Sequence, residues 1–121
     1  MITNFEEITE ELNDHEKAVL LPIMVRGLKT KIGKENIISQ AEACEKIEAS
    51  TGYKISSVRW RKLINVIRRA GLVKNLVSSS KGYYIATKKI EAWKNIQSLQ
   101  DRIDAIEAVK VALINQATEK F

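Results

Sequence analysis

The segment from Lys88 to Phe121 contains neither glycine nor proline. Because these are the residues that most often interrupt or end a helix, the sequence predicts one long helix over 88–121. Within it, apolar residues recur at alternating intervals of three and four, which is the spacing of a coiled-coil seam. The predicted dimerisation positions are Ile96, Leu99, Ile103, Ile106 and Leu113, and Lys110 and Ala117 continue the same seam.

A helix of about 30 residues extends ~45 Å at 1.5 Å per residue, which is longer than a small domain can cover. The seam therefore predicts a homodimer formed through the C-terminal helix. A lysine at position 110 weakens such pairing and helps to fix its register. The alternative is a helix that folds back onto its own domain or frays.

The length and composition of the chain fit one domain of ordinary size. The chain has 121 residues, 45% of them hydrophobic, enough for a modest core. No run reaches the ~18 apolar residues of a membrane span, and the first residues are acidic, unlike a secretory signal. We therefore expect a cytoplasmic protein. The single cysteine, Cys44, excludes an internal disulfide and a thiolate cluster, so no metal or cofactor is expected.

Charge is distributed unevenly along the chain. Residues 1–16 hold six acidic residues and no lysine or arginine, whereas residues 51–89 hold ten basic residues and no acidic one. A span with ten uncompensated positive charges predicts a surface for a polyanion, nucleic acid before membrane. The alternative is a basic face that is merely solvated. The acidic residues at the N-terminus suggest a further hypothesis, that residues 1–12 cover the basic face in the free protein.

Cap and turn residues divide the chain into segments. A cap residue followed three positions later by glutamate occurs at Thr3, Asn13 and Ser39, and Ser56 is a further cap. Pro22 predicts a kink in the first main helix. The expected elements are a leader helix over about 4–12, a helix from Asp14 to about Lys31 ended by Gly33, a brief strand at 36–38, helices over 40–50 and 57–70 ended by Gly52 and Gly71, and strands at 72–77 and 83–87.

The helix over 57–70 is basic and amphipathic. At 100° per residue, one face collects Trp60, Leu63, Ile64, Ile67 and Ala70, with Arg59 and Val66 at its margin. The opposite face collects Val58, Arg61, Lys62, Asn65, Arg68 and Arg69. The first face is expected to enter a core, so Trp60 is interpreted as a core residue. Tyr83 and Tyr84 alternate on a strand, so one should face the core and the other solvent or backbone.

The order helix, short strand, helix, turn, helix, hairpin is that of a winged helix-turn-helix. Residues 14–87 resemble this family, and "RKLINVIRRAGLV" with "SSSKGYYIAT" is similar to small winged-helix proteins of bacteriophages and prophages. The resemblance implies a mainly α fold with a small β-hairpin (α+β), organised as an acidic leader (1–12), a winged domain (13–87) and a C-terminal helix (88–121). It also implies binding to double-stranded DNA, in a transcriptional regulator or a phage accessory factor.

In that family the second helix of the pair reads DNA and the hairpin forms the wing. N-terminal residues of a reading helix approach base edges, and flanking cations meet phosphates. The resemblance thus predicts base contacts from Ser57, Val58, Arg61 and Asn65, phosphate contacts from Lys62, Arg68 and Arg69, and a wing containing Lys74, Asn75, Ser79, Ser80 and Lys81. Arg61→Ala should relax base preference, and Lys62→Ala should weaken binding to all sequences alike. A dimer would present two copies of the DNA-reading helix.

Other functions stay open at this stage. The main alternative is a winged-helix module that holds proteins together in a replication or packaging assembly, and RNA binding is a weaker one. No catalytic motif surrounds the single histidine, His15, so no enzymatic activity is expected. The acidic residues Asp101, Asp104 and Glu107 are better explained as surface charge on a coil than as a metal site.

Overall fold

The computed structural model describes residues 11–121 and is mostly helical. It contains one two-stranded antiparallel hairpin and a long C-terminal helix, which confirms the predicted α+β class. The chain divides into two compact units, the first ending at Thr87 and the second spanning Lys88–Phe121. The elements are α1 (14–28), a 3₁₀ turn (Lys34–Asn36), α2 (Gln40–Thr51), α3 (Ser57–Ala70), β1 (Leu76–Ser79), β2 (Gly82–Ile85) and α4 (Lys89–Lys120).

Helix α1 begins at the predicted cap. The Asn13 side chain accepts a hydrogen bond from the Glu16 N–H (2.8 Å), and the Glu16 carboxylate accepts one from the Asn13 N–H (2.9 Å). The segment Glu16–Leu20 is π-helical and is followed by regular α-helix from Leu21 to Leu28. Since Pro22 cannot donate a backbone hydrogen bond, the irregular hydrogen bonding lies in the turn before it.

The end of α1 was predicted less well than its start. The helix ends at Leu28, not near Lys31, and the Thr30 hydroxyl donates to the Gly27 carbonyl at 2.7 Å. Gly33 does not end the helix; with φ +88° it introduces the 3₁₀ turn instead. The predicted leader helix over about 4–12 lies almost entirely outside the described residues, and residues 11–13 are not helical.

Helices α2 and α3 are bounded as the local sequence predicts. Ser39 and Glu42 form a complete capping box at the start of α2, and the Ser56 hydroxyl accepts from the Arg59 N–H at the start of α3 (3.2 Å). Gly52 and Gly71 end the two helices in left-handed conformation, with φ of +74° and +67°. These ends are determined by neighbouring residues, so the sequence identifies them.

The hairpin is more compact than predicted. Its strands pair from Leu76 opposite Ile85 to Ser79 opposite Gly82, leaving a two-residue turn, Ser80 and Lys81. The predicted brief strand at 36–38 is reduced to a single antiparallel bridge between Ile38 and Tyr83. At Gly82 a Cβ would collide with the Ile38 carbonyl group, and φ is +140°. Gly82 therefore allows the close approach of this segment to the hairpin.

The core lies between α3 and the surrounding elements. Trp60, Leu63 and Ile67 of α3 are fully buried, and they join Leu20 and Met24 of α1 in one apolar cluster. The Trp60 indole N–H donates to the Tyr83 hydroxyl at 3.2 Å, as expected of a buried tryptophan. Trp60 is thus the core residue that the sequence predicts.

Two expectations about burial were wrong. Ala70 is exposed because α3 ends there, although its helical position falls on the core face. Tyr83 packs against the main cluster as alternation requires, but Tyr84, on the opposite face of the hairpin, is also buried. Its cross-strand neighbour Val77 is buried as well, so that face does not meet solvent at these two positions.

Candidate nucleic-acid interface

Helix α3 exposes one continuous polar stripe. Ser57, Arg61, Asn65 and Arg69 follow one another at intervals of four residues, and all four are exposed. Side chains four apart lie on the same side of a helix, so these groups form a row about 18 Å long at 1.5 Å per residue. Val58, half-buried, lies beside the start of the row. The row contains three of the four predicted base contacts and one predicted phosphate contact.

The N-terminal end of this row is joined to α2 by Gln40. The Gln40 amide donates to the Ser57 hydroxyl at 3.1 Å, and the Arg61 guanidinium lies 3.5 Å from the same hydroxyl. Gln40 also lines a concavity of about 190 Å³ together with Ser79, Ser80 and Lys81 of the hairpin. Gln40 therefore adjoins both the first residues of α3 and the hairpin turn. The sequence gives no local sign of this position for Gln40.

The residues predicted as one wing fall into two groups. Ser79, Ser80 and Lys81 lie at the hairpin turn, whereas Lys74 and Asn75 precede β1 and lie near Arg68, around a concavity of about 330 Å³. Strand β1 separates the two groups by about 13 Å at 3.3 Å per residue. Lys74 and Asn75 are thus at the base of the hairpin. The wing prediction was wrong for these two residues because it started the strand at Leu72, and the chain turns until Asn75, which has φ +59°.

Lys62 also departs from its predicted placement. The residue is only 7% exposed, although its helical position was assigned to the outer face. Long lysine stems often pack along apolar surface while the ammonium group stays in water. The placement of Lys62 on the exposed face is therefore corrected, and its contact with a phosphate stays a prediction. Arg68 is half-buried, and among the three predicted phosphate contacts Arg69 is exposed.

Arg59 forms a buried ion pair with Glu16. The guanidinium donates to both carboxylate oxygens, at 2.8 and 2.6 Å, and Glu16 is 1% exposed. A second contact from Arg59 reaches the Glu11 carbonyl at 3.2 Å. The hydrogen bonds from Arg59 hold the pKa of Glu16 below its ordinary value, against the opposing effect of burial. Arg59 thus serves the fold, and its positive charge is compensated.

Two other chemically notable side chains are Cys44 and His15. Burial raises the pKa of the Cys44 thiol, and the His15 ring lies against Tyr53 at 4.6 Å between centroids. Across residues 11–121, no three histidine, cysteine or acidic side chains come together in a way that could hold a metal ion. In the same residues, no helix has the length and apolar character needed to cross a membrane.

Helix α4 carries the predicted seam as exposed apolar surface. The five predicted dimerisation residues are between 38% and 69% exposed. Val109 and Ile114 flank the seam on either side of Lys110, and both are more than half exposed. The Lys110 ammonium lies 3.8 Å from the carboxylate of Glu107, one turn earlier. Seam and flanking residues together make an apolar stripe along the helix from Ile96 to Ile114.

No protein-family model, curated protein or solved structure matches the chain.

Proposed function

We propose that this protein binds double-stranded DNA through α3, as a winged helix-turn-helix protein that acts without catalysis. The observation that carries the proposal is the exposed row Ser57, Arg61, Asn65 and Arg69 on a helix whose other face buries Trp60, Leu63 and Ile67. An α-helix fits the major groove of B-form DNA, where arginine can pair with guanine and asparagine with adenine. The element order is also the one that the resemblance implies.

The surroundings of the row support the same proposal. Two further cations are exposed, Arg69 at the C-terminal end of the row and Lys81 at the hairpin turn. They would meet phosphates, which position a protein on DNA without reading its sequence. Ser79 and Ser80 would join Lys81 as the wing. Lys74 and Arg68, at the base of the hairpin, would form a second contact with the DNA backbone.

We further propose that the DNA-binding form is a homodimer joined through α4. Its support is the apolar seam that α4 exposes. A second α4 helix would cover this apolar surface. A dimer presents two reading helices and predicts half-sites about one turn of DNA, or a multiple, apart. Such a protein would serve as a sequence-selective transcriptional regulator or as an accessory factor in bacteriophage or prophage DNA transactions.

The test is equilibrium binding of the full chain and its variants to defined DNA duplexes at several salt concentrations. Arg61→Ala should lose about 1–3 kcal/mol of binding free energy on a preferred site and should relax base preference. Arg69→Ala should weaken all duplexes alike and lower the salt slope by about one. Arg26→Ala, an exposed arginine of α1 outside the basic span, is the matched control. If Arg61→Ala bound every duplex as the unchanged protein does, α3 would not be the reader.

A second function is favoured by the same apolar stripe on α4. A winged-helix interaction module in a replication or packaging assembly would use this stripe as its main interface. It predicts partner binding that tolerates salt and little affinity for DNA. A DNA pull-down near ~150 mM salt separates the two functions, because electrostatic binding to DNA weakens steeply with salt and sequence-specific binding persists.

A further inference from the structure

We propose that α4 pairs with α4 of a second copy as a parallel, in-register, two-stranded coiled coil in which Arg102 of each copy faces Glu107 of the other. This inference rests on the homodimer proposed above. It goes further by specifying the orientation of the two helices, the register and the residues that determine them. The distinction matters because parallel and antiparallel coils hold the attached domains at different places.

The residue types in the seam favour this arrangement. In heptad notation, Ile96, Ile103 and Lys110 occupy position a, and Leu99, Ile106 and Leu113 occupy position d. Isoleucine at a with leucine at d favours parallel two-stranded coils, because the branched side chains fit the geometry of each layer. Ile106 is the one departure at d.

The residues that flank the seam favour the same orientation. In a parallel coil, the residue at position g faces the residue five positions later, at e, on the other helix. This spacing sets Arg102 against Glu107 and Val109 against Ile114, one pair of opposite charges and one apolar pair. Each pair occurs twice by symmetry. All four side chains are exposed and can reach a partner.

An antiparallel coil would lose this matching. In an antiparallel coil, a residue at position g faces a residue at position g of the other helix, and a residue at position e faces one at position e. In the register that sets Ile103 against Ile106, Arg102 would meet Val109 and Glu107 would meet Gln100. Neither contact joins opposite charges, and the first places a cation against an apolar side chain. Charge complementarity therefore favours the parallel arrangement over this antiparallel register.

Lys110 limits the number of helices. In a parallel coil the two Lys110 side chains lie in one layer, where like charges weaken the association. Glu107 of the same helix, 3.8 Å from the ammonium, supplies a compensating charge. A third helix would add another ammonium group to this layer, so Lys110 favours two helices at a cost in stability. Val109 and Ile114 widen the apolar contact beside it.

The orientation has a consequence for DNA recognition. Each domain is joined through Thr87 to the N-terminal end of its own α4. A parallel coil keeps both attachment points together, whereas an antiparallel coil of about 30 residues separates them by up to ~45 Å. The parallel arrangement therefore predicts closely spaced half-sites.

Cysteine cross-linking in the full chain tests the orientation. In a Cys44→Ser background, Ala117→Cys at position a should form an intermolecular disulfide in a glutathione redox buffer. The control Thr118→Cys, one residue away on the outer side, should not. In the antiparallel register described above, the two copies of position 117 lie more than ~30 Å apart and cannot be bridged.

Sedimentation equilibrium under reducing conditions separates the two possible failures. A monomer at all concentrations would overturn the proposed homodimer, and this inference with it. A dimer in which position 117 does not cross-link would overturn the parallel orientation alone. A dimer that cross-links at position 117 and not at position 118 is the expected result.

Charge exchange tests the Arg102–Glu107 contact itself. Arg102→Glu and Glu107→Arg should each raise the homodimer dissociation constant about tenfold, because like charges then face each other at two places. Mixed together, the two variants should pair with each other about as tightly as the unchanged protein does. A mixture of Arg102→Glu with Asp104→Arg, whose change lies outside the seam, is the control. Equal pairing in both mixtures at ~150 mM salt would contradict the proposed contact.

Discussion

The domain up to Thr87 and the helix Lys89–Lys120 differ in the burial of their apolar side chains. In the domain, α3 places Trp60, Leu63 and Ile67 in a core that one chain completes by itself. In α4, the seam residues have comparable side chains and remain exposed. The same helical periodicity therefore has two outcomes, a buried apolar face on α3 and an exposed apolar seam on α4. With the homodimer proposed above, the stability of the domain should not depend on protein concentration, whereas the pairing of α4 should.

The largest difference should appear between two leucine substitutions. Leu63→Ala should lower the free energy of unfolding of the domain by about 3 kcal/mol at any protein concentration, since it leaves a cavity in the core. Leu113→Ala should leave that free energy unchanged and raise the dimer dissociation constant. Urea unfolding followed by Trp60 fluorescence, in a Trp93→Phe background, measures the first effect. Equal losses of domain stability in both variants would remove the distinction between the two regions.

The ion pair between Glu16 and Arg59 should give the next largest effect. Glu16→Gln should destabilise the domain by about 2–3 kcal/mol near pH 7, because a half-buried guanidinium loses its buried counter-charge. The pKa of Glu16 is lowered in the folded state from an ordinary value of 4.5. Its contribution is therefore fully present above about pH 4.5 and is lost as the pH falls through the folded-state pKa.

Unfolding measured between pH 7 and pH 3 tests this assignment. The unchanged protein should lose stability toward acid more steeply than Glu16→Gln does. Glu45→Gln, which changes an exposed carboxylate on α2, is the control and should follow the unchanged protein. Parallel curves for the unchanged protein and Glu16→Gln would show that this pair contributes nothing to acid sensitivity.

The smallest effect concerns Gln40, which lies between α3 and the hairpin turn. Gln40→Ala should weaken DNA binding about threefold, because the Ser57 hydroxyl loses one hydrogen bond that holds it in place. The melting temperature should not change, since the residue is at the surface. Gln97→Ala, which removes a similar amide contact to Asp101 on α4, is the control for DNA binding. A loss of binding in both variants would mean that position 40 has no special role.

The sequence predicts those features that depend on neighbouring residues. The bounds of α3, the caps at Asn13, Ser39 and Ser56, and the glycines that end α2 and α3 are local and were identified correctly. The buried and exposed faces of α3 follow from its periodicity, with the exceptions of Lys62 and Ala70. The long helix follows from the lack of glycine and proline.

The features that the sequence analysis missed join residues far apart in the chain. Glu16 and Arg59 are 43 residues apart, and Gln40 and Ser57 are 17 apart. The requirement for glycine at position 82 comes from the Ile38 carbonyl, which no local pattern indicates. The single local signal near the ion pair was the capping-box spacing of Asn13 and Glu16. This spacing predicts the start of a helix, but it does not predict that Glu16 pairs with Arg59. Tertiary packing determines these contacts.

Selection from a random-sequence duplex library tests most directly whether α3 reads DNA. At ~150 mM salt the non-specific electrostatic contribution to the binding affinity is suppressed. The full chain should enrich a motif with two-fold symmetry, and Arg61→Ala should lose the enrichment at one base position in each half-site. Absence of any bound duplex would contradict DNA binding by this protein and favour the protein-interaction module.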